Sequence, residues 1–176
     1  MTDVFGKPAL LRDEDASLYD ALFSRVVAAA RPRDPFEWML LKDYADLAWE
    51  IFRLRRAKAG IIDGARKPAL SMILDRFKLD VLSSRKFHSD PDTRALIVQQ
   101  LADRGFDEEI ITHEAISMCT GRLAALDRLI ASAEHRRNAM LREIDYHRGG
   151  LATRLRDAPE VIDAETQDAP VPAQPA

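Results

Sequence analysis

Residues 116–151 read ISMCTGRLAALDRLIASAEHRRNAMLREIDYHRGGL, and their spacing decides the fold. One set of positions recurs at strictly alternating intervals of three and four residues: Ile116, Cys119, Leu123, Leu126, Ile130, Ala133, Arg137, Met140, Ile144, His147 and Leu151. An average of 3.5 residues per turn is typical of an α-helix that packs along a second helix with a left-handed supercoil. We therefore predict one long helix over about residues 107–148, roughly 60 Å in length, that frays or ends at the glycine pair after it.

The natural partner of this helix is predicted over about residues 35–59, and Gly60 or Gly64 could end it. Asp34 can cap that helix, Pro35 suits its first position, and Glu37 stands three residues after the cap. Its apolar side chains also alternate by four and three residues, at Leu40, Tyr44, Leu47, Ile51 and Leu54. We predict that the two helices form a long antiparallel hairpin, in which these five residues meet Leu123, Leu126, Ile130, Met140 and Ile144.

Three shorter helices complete the prediction of an all-α fold. The first begins near Asp13 or Asp15 and stops before Pro32, the next covers about residues 68–82, and the last runs from about Pro91 to Gly105. We expect an irregular N-terminal arm over residues 1–12 and a single helical domain over residues 13–156. Residues 157–176 are rich in Pro, Ala and acidic groups and are expected to form a disordered tail.

Composition places the chain among single-domain proteins of a reducing compartment. With 176 residues and 47% hydrophobic content, the chain can build one core without disulfides. A single cysteine, Cys119, excludes an intrachain disulfide, and no apolar stretch approaches the roughly 18 residues that a membrane span needs. We expect a cytoplasmic protein that does not interact with membranes.

The sequence offers no recognisable arrangement of catalytic or metal-binding residues. None of the histidines, His88, His113, His135 and His147, stands three or four residues from another histidine or from Cys119. Such spacing would place two zinc ligands on one helical face. Nucleophile motifs and glycine-rich phosphate loops are also missing from the sequence. The prediction is therefore a non-enzymatic protein with no catalytic residues, no cofactor, no metal and no small-molecule substrate.

A basic cluster leaves a second interpretation open. Six cations fall within fifteen residues, at Arg53, Arg55, Arg56, Lys58, Arg66 and Lys67. Such a surface could bind nucleic acid by neutralising phosphates, which is the alternative function. The other interpretation is that these side chains flank the helix seam and select a partner helix, and it is the one that we favour.

Three blocks of the sequence carry a family resemblance. Residues 31–34 read RPRD, residues 49–59 read WEIFRLRRAKA, and residues 130–144 read IASAEHRRNAMLREI. They resemble a family of small all-helical alphaproteobacterial proteins to which no activity is assigned. The resemblance implies a helical bacterial protein and supplies no site residues.

The predicted lengths indicate a partner. A helix of about 25 residues is roughly 38 Å long, so helix 35–59 would cover little more than half of the predicted long helix. An apolar seam that its own chain cannot cover is expected to bind another helical chain, and self-association is the simplest case. The sequence therefore favours a helical interaction or structural protein.

Overall fold

The computed structural model describes Gly6 and residues 8–157, and within this part the chain is all-helical. The elements are α1 (Ala16–Ala30), α2 (Pro35–Arg76), a short 3-10 helix (Val81–Arg85), α3 (Pro91–Ala102) and α4 (Glu109–Asp157). The predicted tail lies outside the described residues except for Asp157, as do residues 1–5 and 7 of the predicted arm.

Capping residues explain where α1 and α3 begin, and a left-handed residue explains where α1 ends. The Asp15 carboxylate accepts a hydrogen bond from the Ser17 N–H, and Arg31 leaves the helical conformation at φ +48° before Pro32. Asp90 caps α3 in the same way by accepting from the Asp92 N–H. Both helices begin at residues that the sequence marks as possible starts.

The predicted boundary at residue 59 is wrong, because α2 continues without interruption to Arg76. The predicted helices 35–59 and 68–82 are therefore largely one helix of 42 residues. Gly60 and Gly64 are weak helix formers, but packing offsets the free energy that they cost the helix. Ala65 and Ala69, which follow the two glycines in α2, are buried against α4. Val81, which was assigned to the predicted helix 68–82, instead begins the 3-10 helix.

The predicted end of the long helix near residue 148 is also wrong. Helix α4 has 49 residues and passes through Gly149 and Gly150 to Asp157. The Thr153 hydroxyl donates to the Gly149 carbonyl at 3.0 Å, and the preceding residue Arg148 is held by several hydrogen bonds. At 1.5 Å per residue, α4 is roughly 73 Å long and α2 roughly 63 Å.

Four buried clusters divide the length of α2 and α4. Near the C-terminal end of α2, Leu74 packs with Ile97 of α3, Phe87 and Ile111. Toward the N-terminal end of α2, two clusters include residues of α1: Tyr19 packs with Ala45 and Trp49, while Val26 and Ala30 pack on Leu40, Leu41 and Ile144. The cluster between these ends draws its members from α2 and α4 alone: Ala65, Ala69, Ala115, Cys119 and Leu123, with Ile61 and Ile62 beside them.

Contacts between α2 and α4 occur in reverse order of residue number. Polar contacts join Arg55 to Glu134, Lys58 to Asp127, and Arg66 to Thr112. At the start of α2, Glu37 is bound by Arg148. Residues early in α2 therefore lie beside residues late in α4.

A glycine inside α4 gives a direct test of this helix. Gly121 lies in open space, since a Cβ atom added there would meet no atom within 4 Å. We expect Gly121→Ala to stabilise the protein by about 0.5–1 kcal/mol, because alanine forms helix better than glycine. Urea denaturation followed by circular dichroism measures this change. A loss of stability would contradict a continuous helix through this residue.

Candidate functional site

The predicted seam residues lie where α2 and α4 pack on each other. Leu40, Ile51, Leu123 and Ile144 are buried, and the other six members are half-buried: Tyr44, Leu47, Leu54, Leu126, Ile130 and Met140. Leu40 and Ile144 belong to one cluster, against which Met140 packs. Because α2 is much longer than predicted, it covers far more of α4 than the sequence analysis allows. The seam is therefore used largely within the chain and is not the best candidate for binding a partner.

The first part of α4 departs from the predicted spacing. Ile111, Ala115, Cys119 and Leu123 are buried at intervals of four residues, whereas Ile116 is 40% exposed. Further along, the Arg137 guanidinium lies over the Tyr44 ring at 5.9 Å instead of meeting a carboxylate. The alternation by three and four thus describes the seam only beyond Cys119.

A section without a third helix lies in the middle of the α2–α4 pair. We call it the waist: residues 55–68 of α2 with residues 112–134 of α4. Its cluster contains residues of these two helices only, whereas α1 and α3 contribute to the clusters at the ends. No third helix therefore joins the buried cluster of the waist, although Arg56 at its edge binds Glu14 of the N-terminal segment.

One face of the waist is lined by ion pairs between the two helices. Lys58 contacts Asp127 at 2.6 Å, and Arg55 contacts Glu134 at 2.7 Å. Arg66 donates to the Thr112 hydroxyl at 3.2 Å. These pairs are largely exposed, and each such pair contributes at most about 1 kcal/mol. This face is polar and its charges are balanced.

The opposite face holds an open apolar groove of about 450 Å³. Small residues of α2 form one wall, and larger side chains of α4 form the other. The lining consists of Ala57, Gly60, Ile61, Gly64, Ala65 and Pro68 of α2 with Met118, Cys119 and Arg122 of α4. The Met118 side chain is 42% exposed although it borders this groove. An exposed apolar groove without flanking helices is the strongest candidate for an interaction surface in the described part of the chain.

Residues of α4 beyond this lining extend the same stripe. Ala125 follows Met118 by seven residues and Leu129 follows it by eleven, so both point within about 20° of Met118 around the helix. Leu129 is 54% exposed. The predicted seam does not include this stripe, although the spacing of Met118, Ala125 and Leu129 in the sequence is typical of a second apolar face.

The two glycines of the groove were interpreted in the sequence as helix ends. In the structure both lie inside α2, and a Cβ atom at Gly60 or Gly64 would meet no atom within 4 Å. Their lack of side chains therefore serves no contact within the described part of the chain. Without these side chains, the α2 backbone is accessible from the groove. Glycines at such positions are typical of sites where two helices approach closely.

Most of the predicted nucleic-acid contacts are engaged in ion pairs within the protein. Arg53 and Arg56 both bind Glu14, at 2.7 and 2.9 Å. Arg55 and Lys58 pair across the waist with carboxylates of α4, and Arg66 lies 4.0 Å from Glu108. Lys67 is exposed and forms no ion pair in the described part of the chain. The paired carboxylates reduce the positive potential that phosphate binding would need.

Glu14 is a buried anion that fastens the N-terminal arm to α2. Its carboxylate is 2% exposed and accepts hydrogen bonds from Arg53, Arg56 and the Leu11 N–H. The hydrogen bonds from Arg53 lower the pKa of Glu14 from its ordinary value of 4.5 to about 2, although burial opposes this shift. In the sequence, Glu14 stands out only as an acidic residue between the possible helix starts Asp13 and Asp15.

A second buried anion, Glu37, joins three helices. Its carboxylate accepts from the Arg148 Nε and Nη2 atoms, both at 2.8 Å, and from the Arg33 N–H. Arg148 also donates to the Ala30 carbonyl at the end of α1. The hydrogen bonds from Arg148 lower the pKa of Glu37 despite its burial. Arg148 thus connects the C-terminal part of α4 to the ends of α1 and α2.

Asp34, Glu37 and His147 bring three ligand-type atoms within 4.8 Å of one another. These atoms are already engaged: His147 Nε2 lies 2.7 Å from an Asp34 oxygen, and both Glu37 oxygens accept from Arg148. The Arg148 guanidinium would repel a metal cation at this position. The cluster therefore fits an intramolecular polar network better than a metal site.

Comparison with known proteins does not add a relative: the chain matches no protein-family model, no curated protein and no solved structure. In the described part of the chain, no helix has an apolar stretch long enough to cross a membrane.

Proposed function

We propose that α2 and α4 form a long antiparallel helical hairpin and that the protein is a non-enzymatic interaction protein, which binds another helical chain at its waist. The reverse order of the contacts between α2 and α4 supports the hairpin. A cytoplasmic location is part of the proposal, with which a single cysteine, Cys119, is compatible.

The apolar groove of the waist carries the proposal. Both ends of the hairpin gain a third helix, but the waist has two helices, and its groove face exposes Met118 and Leu129. Covering this face would remove apolar surface from water, at roughly 25 cal/mol per Å². A helix laid along the groove could contact both α2 and α4, which is a common way for helical chains to associate.

The nucleic-acid alternative is less favoured by the same geometry. The cations of the predicted basic cluster lie mainly on the ion-paired face or against Glu14. The groove face carries Arg122 as its one lining cation. A partner of this face would therefore be recognised mainly by apolar contact.

Position-specific photo-crosslinking tests the proposed function. A photoreactive amino acid at Ala125 lies in the apolar stripe, whereas the same group at Thr120 points about 200° away from Met118 around α4. We expect crosslinks to protein from position 125 and far fewer from position 120, in extracts of cells that express the full chain. Products destroyed by nuclease would favour the alternative, and equal yields at both positions would contradict the waist as a binding surface.

A further inference from the structure

We propose that the occupant of the waist groove is a second copy of this chain, so that two hairpins form a four-helix section around a two-fold axis parallel to their helices. This inference rests on the proposed function and names its partner. The axis would place α2 of each copy over α4 of the other at equal height, because rotation about an axis parallel to the helices preserves height.

The two walls of the groove complement each other in shape. The α2 wall is low, since Ala57, Gly60 and Gly64 have little or no side chain, and the α4 wall is raised by Met118 and Leu129. A two-fold axis along the hairpin sets the raised wall of each copy on the low wall of the other. The two-fold arrangement therefore fills the grooves of both copies at once. A single unrelated helix would fill the groove of one copy only.

The heights of the residues agree with this arrangement. The Cys119 Sγ atom lies 3.9 Å from the Ile61 carbonyl, so Met118 is at about the height of Ile61 to Gly64. The contact of Lys58 with Asp127 puts Leu129 near the height of Ala57. In the proposed dimer, Met118 then faces Gly64 of the second copy and Leu129 faces Ala57.

Sedimentation equilibrium of the full chain tests this inference. From about 2 to about 200 μM, we expect the mass to rise from 19.8 kDa toward twice that value. Gly64→Leu should raise the dimer dissociation constant at least about tenfold, because leucine fills the space that Met118 of the second copy needs. Its Cβ atom meets nothing in the monomer, so folding should be retained. Gly149→Leu, in α4 outside the waist, is the matched control and should leave the dissociation constant unchanged.

Thermal melting of each variant checks its folding. A wild-type monomer at the highest concentration, or a Gly64→Leu variant that dimerises as tightly as the wild-type protein, would overturn the inference. If the protein is a monomer but still crosslinks to another protein from position 125, the proposed partner is wrong and the proposed function stands. If it neither dimerises nor crosslinks from position 125, the proposed function is wrong as well.

Discussion

Replacing Arg148 with methionine should destabilise the protein by about 3 kcal/mol, which corresponds to a fall in Tm of roughly 10 °C. The Glu37 side chain is 1% exposed, and Arg148 supplies two of its hydrogen bonds. Without the guanidinium, Glu37 would remain a buried anion that keeps the hydrogen bond from the Arg33 N–H but loses both bonds from Arg148. The Ala30 carbonyl would also lose the hydrogen bond from Arg148. Urea denaturation at pH 7 measures the free energy of unfolding.

Two further variants separate the ion pair from general damage to α4. Arg142→Met changes an exposed arginine of the same helix and should alter stability by less than about 0.5 kcal/mol. Glu37→Met combined with Arg148→Met removes both charges, and it should recover at least about 1 kcal/mol relative to Arg148→Met alone. If the losses of stability in Glu37→Met and in Arg148→Met simply add in the double variant, the two side chains do not form a coupled buried pair.

The sequence predicted the all-α fold well because its signals are local. Caps such as Asp34 and Asp90 depend on residues within one turn, and the alternation of apolar residues marks a helix wherever it occurs. The same local reasoning failed at Gly60 and Gly64. Glycine after a helical stretch predicts a helix end, but the burial of Ala65 and Ala69 against α4 keeps α2 continuous. This packing offsets the cost of glycine inside a helix, about 1 kcal/mol each.

The candidate site depends on contacts that local patterns do not contain. Which side of the waist is polar follows from the register that brings Lys58 to Asp127 and Arg55 to Glu134. The sequence does not fix that register, and it is therefore compatible with a basic cluster that forms a free surface. The roles of Glu14 and Glu37 also involve partners 39 and 111 residues away. Only the folded arrangement reveals which carboxylates are buried.

The pH dependence of stability should carry the signature of Glu14. Its pKa is about 2 in the folded protein against an ordinary value of 4.5, so the folded state favours the charged form. The resulting stability is fully present above about pH 4.5 and is lost as the pH falls toward 2. At 1.36 kcal/mol per pKa unit, the contribution is about 3 kcal/mol at pH 7 and about 1.5 kcal/mol at pH 3.

Comparing the wild-type protein with Glu14→Gln at several pH values isolates this contribution. Glutamine keeps the shape of the side chain but cannot accept charge-assisted hydrogen bonds from Arg53 and Arg56, so the variant should be about 3 kcal/mol less stable at pH 7. The difference should roughly halve by pH 3, because the wild-type protein loses the same contribution on protonation. Other carboxylates titrate equally in both proteins and cancel.

Asp13→Asn, which changes an exposed neighbour, is the control and should show almost no such trend. A difference that stays constant from pH 7 to pH 3 would mean that Glu14 acts through its shape and not through its charge, and the arm would then be held mainly by the packing of Leu10 on Tyr19 and Trp49.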